Sequence, residues 1–122
     1  MKRVIQNLIF GCAMLCTTMV LAQSSTFNYQ AVLRNTAGEP VASQAVAVRI
    51  SILAGSATGS AEYVETHSTT TNAFGLFTLP IGGGSATTGT FATIDWAANA
   101  KFMDVEVDET GGTNFTSIGV SE

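Results

Sequence analysis

Cysteine is nearly absent from this 122-residue chain: the two present, Cys12 and Cys16, both fall within the first 22 residues. Histidine occurs once, tryptophan once and proline twice. The scarcity of cysteine and histidine rules out disulfide staples, cysteine-rich zinc sites and cysteine nucleophiles for everything after residue 22. Basic residues are also few. After residue 22 only Arg34, Arg49 and Lys101 stand against all nine acidic residues, a net of −6. Such a surface repels nucleic acid and anionic lipid. No stretch keeps a helical apolar period over three turns, which excludes a helical bundle.

The N-terminus sets the expected compartment. Met1-Lys2-Arg3 is a short basic segment, and Val4 to Leu21 carries no charge. Val20-Leu21-Ala22 then offers residues that a signal peptidase reads, ahead of polar Gln23-Ser24-Ser25. This is the pattern of a secretory signal peptide over residues 1–22, and it places the protein in the periplasm, on the cell surface or outside the cell. Gln6, Asn7, Thr17 and Thr18 dilute the stretch as a transmembrane anchor, so no membrane insertion is expected after cleavage. Phe10 before Cys12 and Leu15 before Cys16 make poor lipidation signals. Residues 23–122 are left as one domain, long enough to bury its own core.

That domain reads as all-β. Phe27, Tyr29, Ala31 and Leu33 alternate with polar residues, and Val46, Val48, Ile50 and Ile52 share a face against Arg49 and Ser51. Ala61 to Thr70 is a more polar strand, expected at an edge. Asn72-Ala73-Phe74-Gly75 predicts a type I turn, with Asn72 bonding to the backbone ahead and Gly75 taking positive φ. Phe77, Leu79 and Ile81 then form a strand that Pro80 ends or confines to an edge. Phe91, Ile94 and Trp96 are expected to plug one end of the core from a loop or short helical turn. Lys101 to Asp108 is a strand with Met103, Val105 and Val107 inward and Asp104, Glu106 and Asp108 outward. Thr113 to Val120 is a last strand anchored by Phe115. Six or seven short strands with turn signals between them predict a single antiparallel β-sandwich.

The candidate chemistry is sparse. Gly82-Gly83-Gly84 lacks the lysine of a P-loop and the third glycine of a dinucleotide fingerprint, and no long helix follows it, so these glycines read as loop punctuation. Glu65 and His67 share a strand face with Tyr63, which permits a carboxylate–imidazole metal pair. Two ligands are not a site, and a solvated strand face is the plainer reading. No G-x-S-x-G elbow is present, so no catalytic residue is assigned. Asp104, Glu106 and Asp108 are weak calcium candidates without an EF-hand loop, and a solubilising acidic face is preferred. Tyr29, Tyr63 and Trp96 are candidate sugar-stacking aromatics, weighed against ordinary core packing. No cofactor is expected.

The segments "FNYQAVLRNTAGEPVASQAVAVRISIL", "YVETHSTTTNAFGLFTLPIGGG", "FATIDWAANAKFMDVEVD" and "GGTNF" together resemble an N-terminal module of secreted Bacteroidota surface or tail-fibre-like proteins. More distantly, "GEPV", "AVAV" and "TNAFGLFTL" resemble the prealbumin-like repeats of carboxypeptidase regulatory domains, which are non-catalytic seven-stranded sandwiches. The resemblance implies a non-catalytic module with a structural, adhesion or presentation role, partnered by other surface proteins or by further segments of a longer chain. A carbohydrate-binding module and a calcium-assisted surface module are the alternatives. The nearer family runs on past its "GGTNF" region, so truncation at the C-terminus is a further expectation.

Processing gives the first test. Mass spectrometry of the exported protein should find Gln23, or its pyroglutamate form, as the first residue. Met1 retained in the exported fraction would defeat the signal-peptide reading.

Overall fold

A computed structural model describes residues 25–122, so the segment 1–22, expected to be a signal peptide, lies outside the described residues. Seven strands form in chain order: β1 Phe27–Val32, β2 Ala45–Ala54, β3 Ala61–Thr70, β4 Leu76–Ile81, β5 Ser85–Thr88, β6 Lys101–Asp108 and β7 Thr116–Ser121. A single turn of 3-10 helix, Phe91–Thr93, separates β5 from β6. Every pairing is antiparallel. One sheet is β1-β4 and the other runs β5-β3-β2-β6-β7. The chain is a small all-β protein of two antiparallel sheets, as the strand alternation predicts.

The core lies between the sheets because β1, β2, β4 and β6 carry apolar residues at every second position of their inner faces. Phe77, Leu79 and Ile81 of β4 share one cluster with Val46, Val48, Ile50 and Ile52 of β2, Tyr63 of β3, and Val105 and Val107 of β6. Tyr29 and Ala31 of β1 pack against it. β2 is the central strand, hydrogen-bonded to β3 on one side and β6 on the other. Its outward-facing Ala47, Ser51 and Leu53 are buried as well. Burying side chains of this size contributes about 1.5–3 kcal/mol each before entropic costs, and no disulfide is present among the described residues to assist.

Pro80 sits in β4 opposite Asn28 of β1. The two-stranded sheet tolerates it because β4 has a second edge with no ladder to interrupt. The Asn72–Gly75 turn has the geometry its residues favour. Gly75 N–H donates to the Asn72 carbonyl at 3.1 Å, and Asn72 Oδ1 accepts from Phe74 N at 2.8 Å and Leu76 N at 3.0 Å. Gly75 has φ +80°.

Four points need correction. The polar strand β3 is not an edge, because β5 pairs along it and takes the edge position. β5 was not anticipated: Ser-Ala-Thr-Thr has no apolar alternation, and all four residues are exposed. Asp108 does not face outward into solvent. It is 6% exposed, with its carboxylate turned into the β6–β7 loop. The final strand begins at Thr116 rather than Thr113.

Gly75 gives a stability prediction. A Cβ there would lie 2.7 Å from the Leu33 carbonyl oxygen and 3.2 Å from Pro40 Cβ, in addition to the positive φ. Gly75→Val should therefore cost about 1–2 kcal/mol from the backbone and more from the displaced Leu33 carbonyl. Gly83→Ala, with no positive φ and its nearest contact at 3.2 Å, should cost less. Chemical denaturation of the two variants compares them, and equal losses would contradict the turn's role.

Candidate functional site

β3 alternates, so Tyr63, Glu65 and His67 project from one face at every second position. That face is the inner one. Tyr63 is 2% exposed and Glu65 is fully buried. The solvated-face reading of this trio is therefore wrong: the chain after β4 folds back over it. β4 ends at Ile81, the Gly82–Gly84 turn reverses direction, and β5 then pairs with Val64 to Thr66.

A charge removed from water must be answered by hydrogen bonds. Glu65 has four donors. Tyr63 Oη–H donates to Oε2 at 2.6 Å, and His67 Nε2 lies 2.7 Å from Oε1. Gly82 N–H is shared between Oε1 and Oε2 at 3.0 and 3.1 Å, and Gly84 N–H reaches Oε2 at 3.1 Å. A carboxylate only accepts, so Nε2 of His67 is the ring nitrogen that carries the hydrogen.

Glycine is required on the loop side. Gly82 has φ +95°, and a Cβ on Gly84 would meet His67 Nε2 at 2.6 Å. The glycines do more than punctuate a loop. Two of them form a concave anion-binding turn of the kind that holds phosphates elsewhere, and the anion in it is the protein's own Glu65. Burial pushes the Glu65 carboxyl up, but the hydrogen bonds from Tyr63, His67, Gly82 and Gly84 outweigh it, and the group titrates below the usual carboxylate range. Burial and the Glu65 hydrogen bond push the Tyr63 phenol well above its usual range.

The three calcium candidates are separated in their duties. Glu106 forms a two-point ion pair with Arg49, Nε to Oε1 at 3.0 Å and Nη2 to Oε2 at 2.5 Å, and the Phe115 ring lies 4.6 Å from that guanidinium. Asp104 accepts from Ser117 Oγ at 2.6 Å. Asp108 accepts from Thr110 Oγ1, Thr110 N and Asn114 N at 2.6, 2.9 and 2.9 Å, which holds its carboxyl below the usual range and closes the β6–β7 loop. Among the described residues no three His, Cys, Asp or Glu side chains gather as metal ligands would.

Of the aromatic candidates, Tyr63 is buried, Tyr29 is half-buried beside Phe77, and Trp96 is exposed. Trp96 belongs to an aromatic end-group in which Phe91 lies 5.7 Å from it, 6.2 Å from Phe27 and 5.3 Å from Tyr63. An open cleft of about 480 Å³ lies there, lined by Ser25, Phe27, Phe91, Ala92, Ile94 and Trp96. The sequence carried a partial signal for the Glu65 site. Tyr-x-Glu-x-His on one strand face and a glycine triplet further on are both visible, but nothing local says that they meet.

The arrangement around Glu65 ties β3 to the Gly82–Gly84 turn. Both oxygens are occupied by groups of the fold. Glu65→Ala would leave a buried phenol, a ring N–H and two amides without their acceptor. It should destabilise the protein by about 3–5 kcal/mol. Asp104→Ala, at an exposed bond, should cost less than about 1 kcal/mol. Urea denaturation of the pair checks the ranking.

The family model DUF8740, described as a domain of unknown function, matches residues 28–118. No curated protein and no solved structure matches the chain.

Proposed function

Because this chain belongs to the DUF8740 family, a domain of unknown function, its role has to be read from its own residues, and we propose that it is an exported, non-catalytic module with a structural, adhesion or presentation role in a cell-surface or secreted assembly. The observation that carries this reading is the occupancy of Glu65. A general acid or base must reach a proton on a substrate, and the buried acid–imidazole pair is spent on Tyr63, Gly82 and Gly84. The conspicuous acids of β6 are likewise engaged in closing a loop, pairing Arg49 and binding Ser117. The partners of such a module are other surface proteins or further segments of a longer chain. The segment before Gln23 supports export.

A second reading is favoured by one observation. Trp96 is 48% exposed and Phe27 is 43% exposed at the mouth of the end cleft, where a sugar ring could stack.

Two measurements separate the readings. Chemical cross-linking on intact cells should recover the protein joined to a defined surface partner in fixed stoichiometry, and a glycan array should show no saturable hit. A saturable hit lost in Trp96→Ala would replace the structural role with carbohydrate binding. Recovery of the protein only as an uncomplexed cytoplasmic species would defeat both.

A further inference from the structure

Glu65 connects three parts of the molecule. It sits on β3, it holds the β4–β5 turn through Gly82 and Gly84, and through Gly82 it reaches the aromatic end. A Cβ placed on Gly82 would lie 2.6 Å from the Phe91 ring, so that ring rests directly on this glycine. Phe91 in turn packs edge-on against Trp96 at 5.7 Å and lies 6.2 Å from Phe27, and these three rings line the end cleft. Phe91, resting on Gly82 and packed edge-on against Tyr63 at 5.3 Å, therefore links the Gly82–Gly84 turn to the cleft.

Every neighbour of the carboxylate in this site donates a hydrogen. An ionised carboxylate accepts from all of them, whereas a protonated one must aim an O–H at one. The two backbone amides cannot become acceptors. Tyr63 accepts only by turning its own hydrogen away from the carboxyl. The bonds that remain also lose the charge that made them about twice as strong as neutral ones.

We propose that Glu65 is an acid-released latch: its protonation frees the Gly82–Gly84 turn together with Phe91, and opens the Phe27–Phe91–Trp96 cleft while the β2–β3–β6 sheet stays folded.

Asp108, also held below its ordinary range, is bonded to Thr110 and Asn114 in the β6–β7 loop and not to this cluster. On β3 the titratable neighbours are Tyr63 and His67. β2 presents Ile50 opposite Glu65, and β5 presents Ala86. Neither β4, the Gly82–Gly84 turn, β5 nor the 3-10 turn carries a charged residue, and the one charge on β2, Arg49, is paired with Glu106. A carboxyl held below its ordinary range contributes stability above that range and loses it as pH falls through the lowered value. The latch is therefore shut at neutral pH and through the ordinary carboxylate range, and it opens in stronger acid.

Trp96 is the sole tryptophan, so its fluorescence reports the cleft directly. Acrylamide quenching of Trp96 is followed from pH 7 to pH 2, alongside far-UV circular dichroism and hydrogen exchange. Quenching should rise in a step that precedes loss of the β signal. In that step, exchange of residues 82–93 should accelerate on the order of tenfold relative to Val46–Ile52. Glu65→Gln, which cannot accept from all four donors, should show the open-cleft quenching already at pH 7 and lack the acid step. Tyr63→Phe keeps the carboxylate but removes one donor, and should move the step up by about one pH unit. The proposal is overturned if quenching and the β signal change together, if no quenching step occurs above pH 2, or if Glu65→Gln keeps the wild-type step. Should Glu65→Gln fail to fold, an unmoved step in Tyr63→Phe overturns it equally.

Discussion

A carboxylate taken fully out of water is tolerable only where its charge is answered, and the surroundings of Glu65 are arranged around that requirement. Tyr63 and His67 lie two residues to either side on the same strand, so a β-strand's period of two supplies two donors at no cost in topology. The other donors come from a distant part of the chain, Gly82 and Gly84, and their amides converge only because the backbone can adopt φ +95° at Gly82 and no side chain intrudes at Gly84. The carboxylate thus fixes how the chain leaves the small sheet and re-enters the large one. β5 covers β3 because this turn is held, and Phe91 lies over Gly82 for the same reason.

The remaining polar groups follow the same economy on a smaller scale. In a sheet of five strands covered by a sheet of two, much of the outer face meets solvent. The Arg49–Glu106 pair bridges β2 and β6 there, with Phe115 against the guanidinium. Lys101 reaches from β6 to Glu62 on β3 at 2.8 Å. Pairs that still reach solvent, as both of these do in part, add little stability individually. Their effect is to answer charge across the central strands, where like charges side by side would oppose pairing. Asp108 differs because it is buried and bonded to backbone and hydroxyl hydrogens. It orders the β6–β7 loop, much as Asn72 orders the turn into β4.

Most of the fold was legible because each inner strand repeats apolar residues with period two. Val46 to Ile52 and Phe77 to Ile81 announce their faces without help from tertiary structure, and Asn72 to Gly75 carries a turn in its local chemistry. Three features were hidden for one reason: they depend on what a residue meets rather than on what it is. Ser85–Thr88 forms a strand because the adjoining turn is anchored to Glu65, and its own residues give no β-pattern. β3 reads as an edge because its inward residues are polar, yet that polarity is the buried cluster itself. Asp108 continues the outward alternation of Asp104 and Glu106 in sequence, but the β6–β7 loop folds over it and supplies donors. The 3-10 turn bearing Phe91 was legible as a plug, since large apolar residues at irregular spacing cannot line a regular strand face.

The glycine triplet carries the functional implication furthest. A turn of exposed amides attracts whichever anion lies within reach, and its chemistry does not distinguish a phosphate from a carboxylate. Here the nearest anion is covalently part of the chain, at an effective concentration that a free ligand does not match. Any external anion would have to displace Glu65 and leave a buried charge unanswered, so the turn is closed to ligands while Glu65 is ionised. The same reasoning moves attention away from the polar groups as sites of recognition, because their hydrogen-bonding capacity is consumed in holding the fold. Among the described residues the large apolar side chains left exposed are Phe27 and Trp96 at the end cleft, Val32, Phe74, and Ile118 and Val120 on β7. Surfaces of that character engage partners through shape and burial, which is the reasoning behind the supporting or presenting role proposed for this chain.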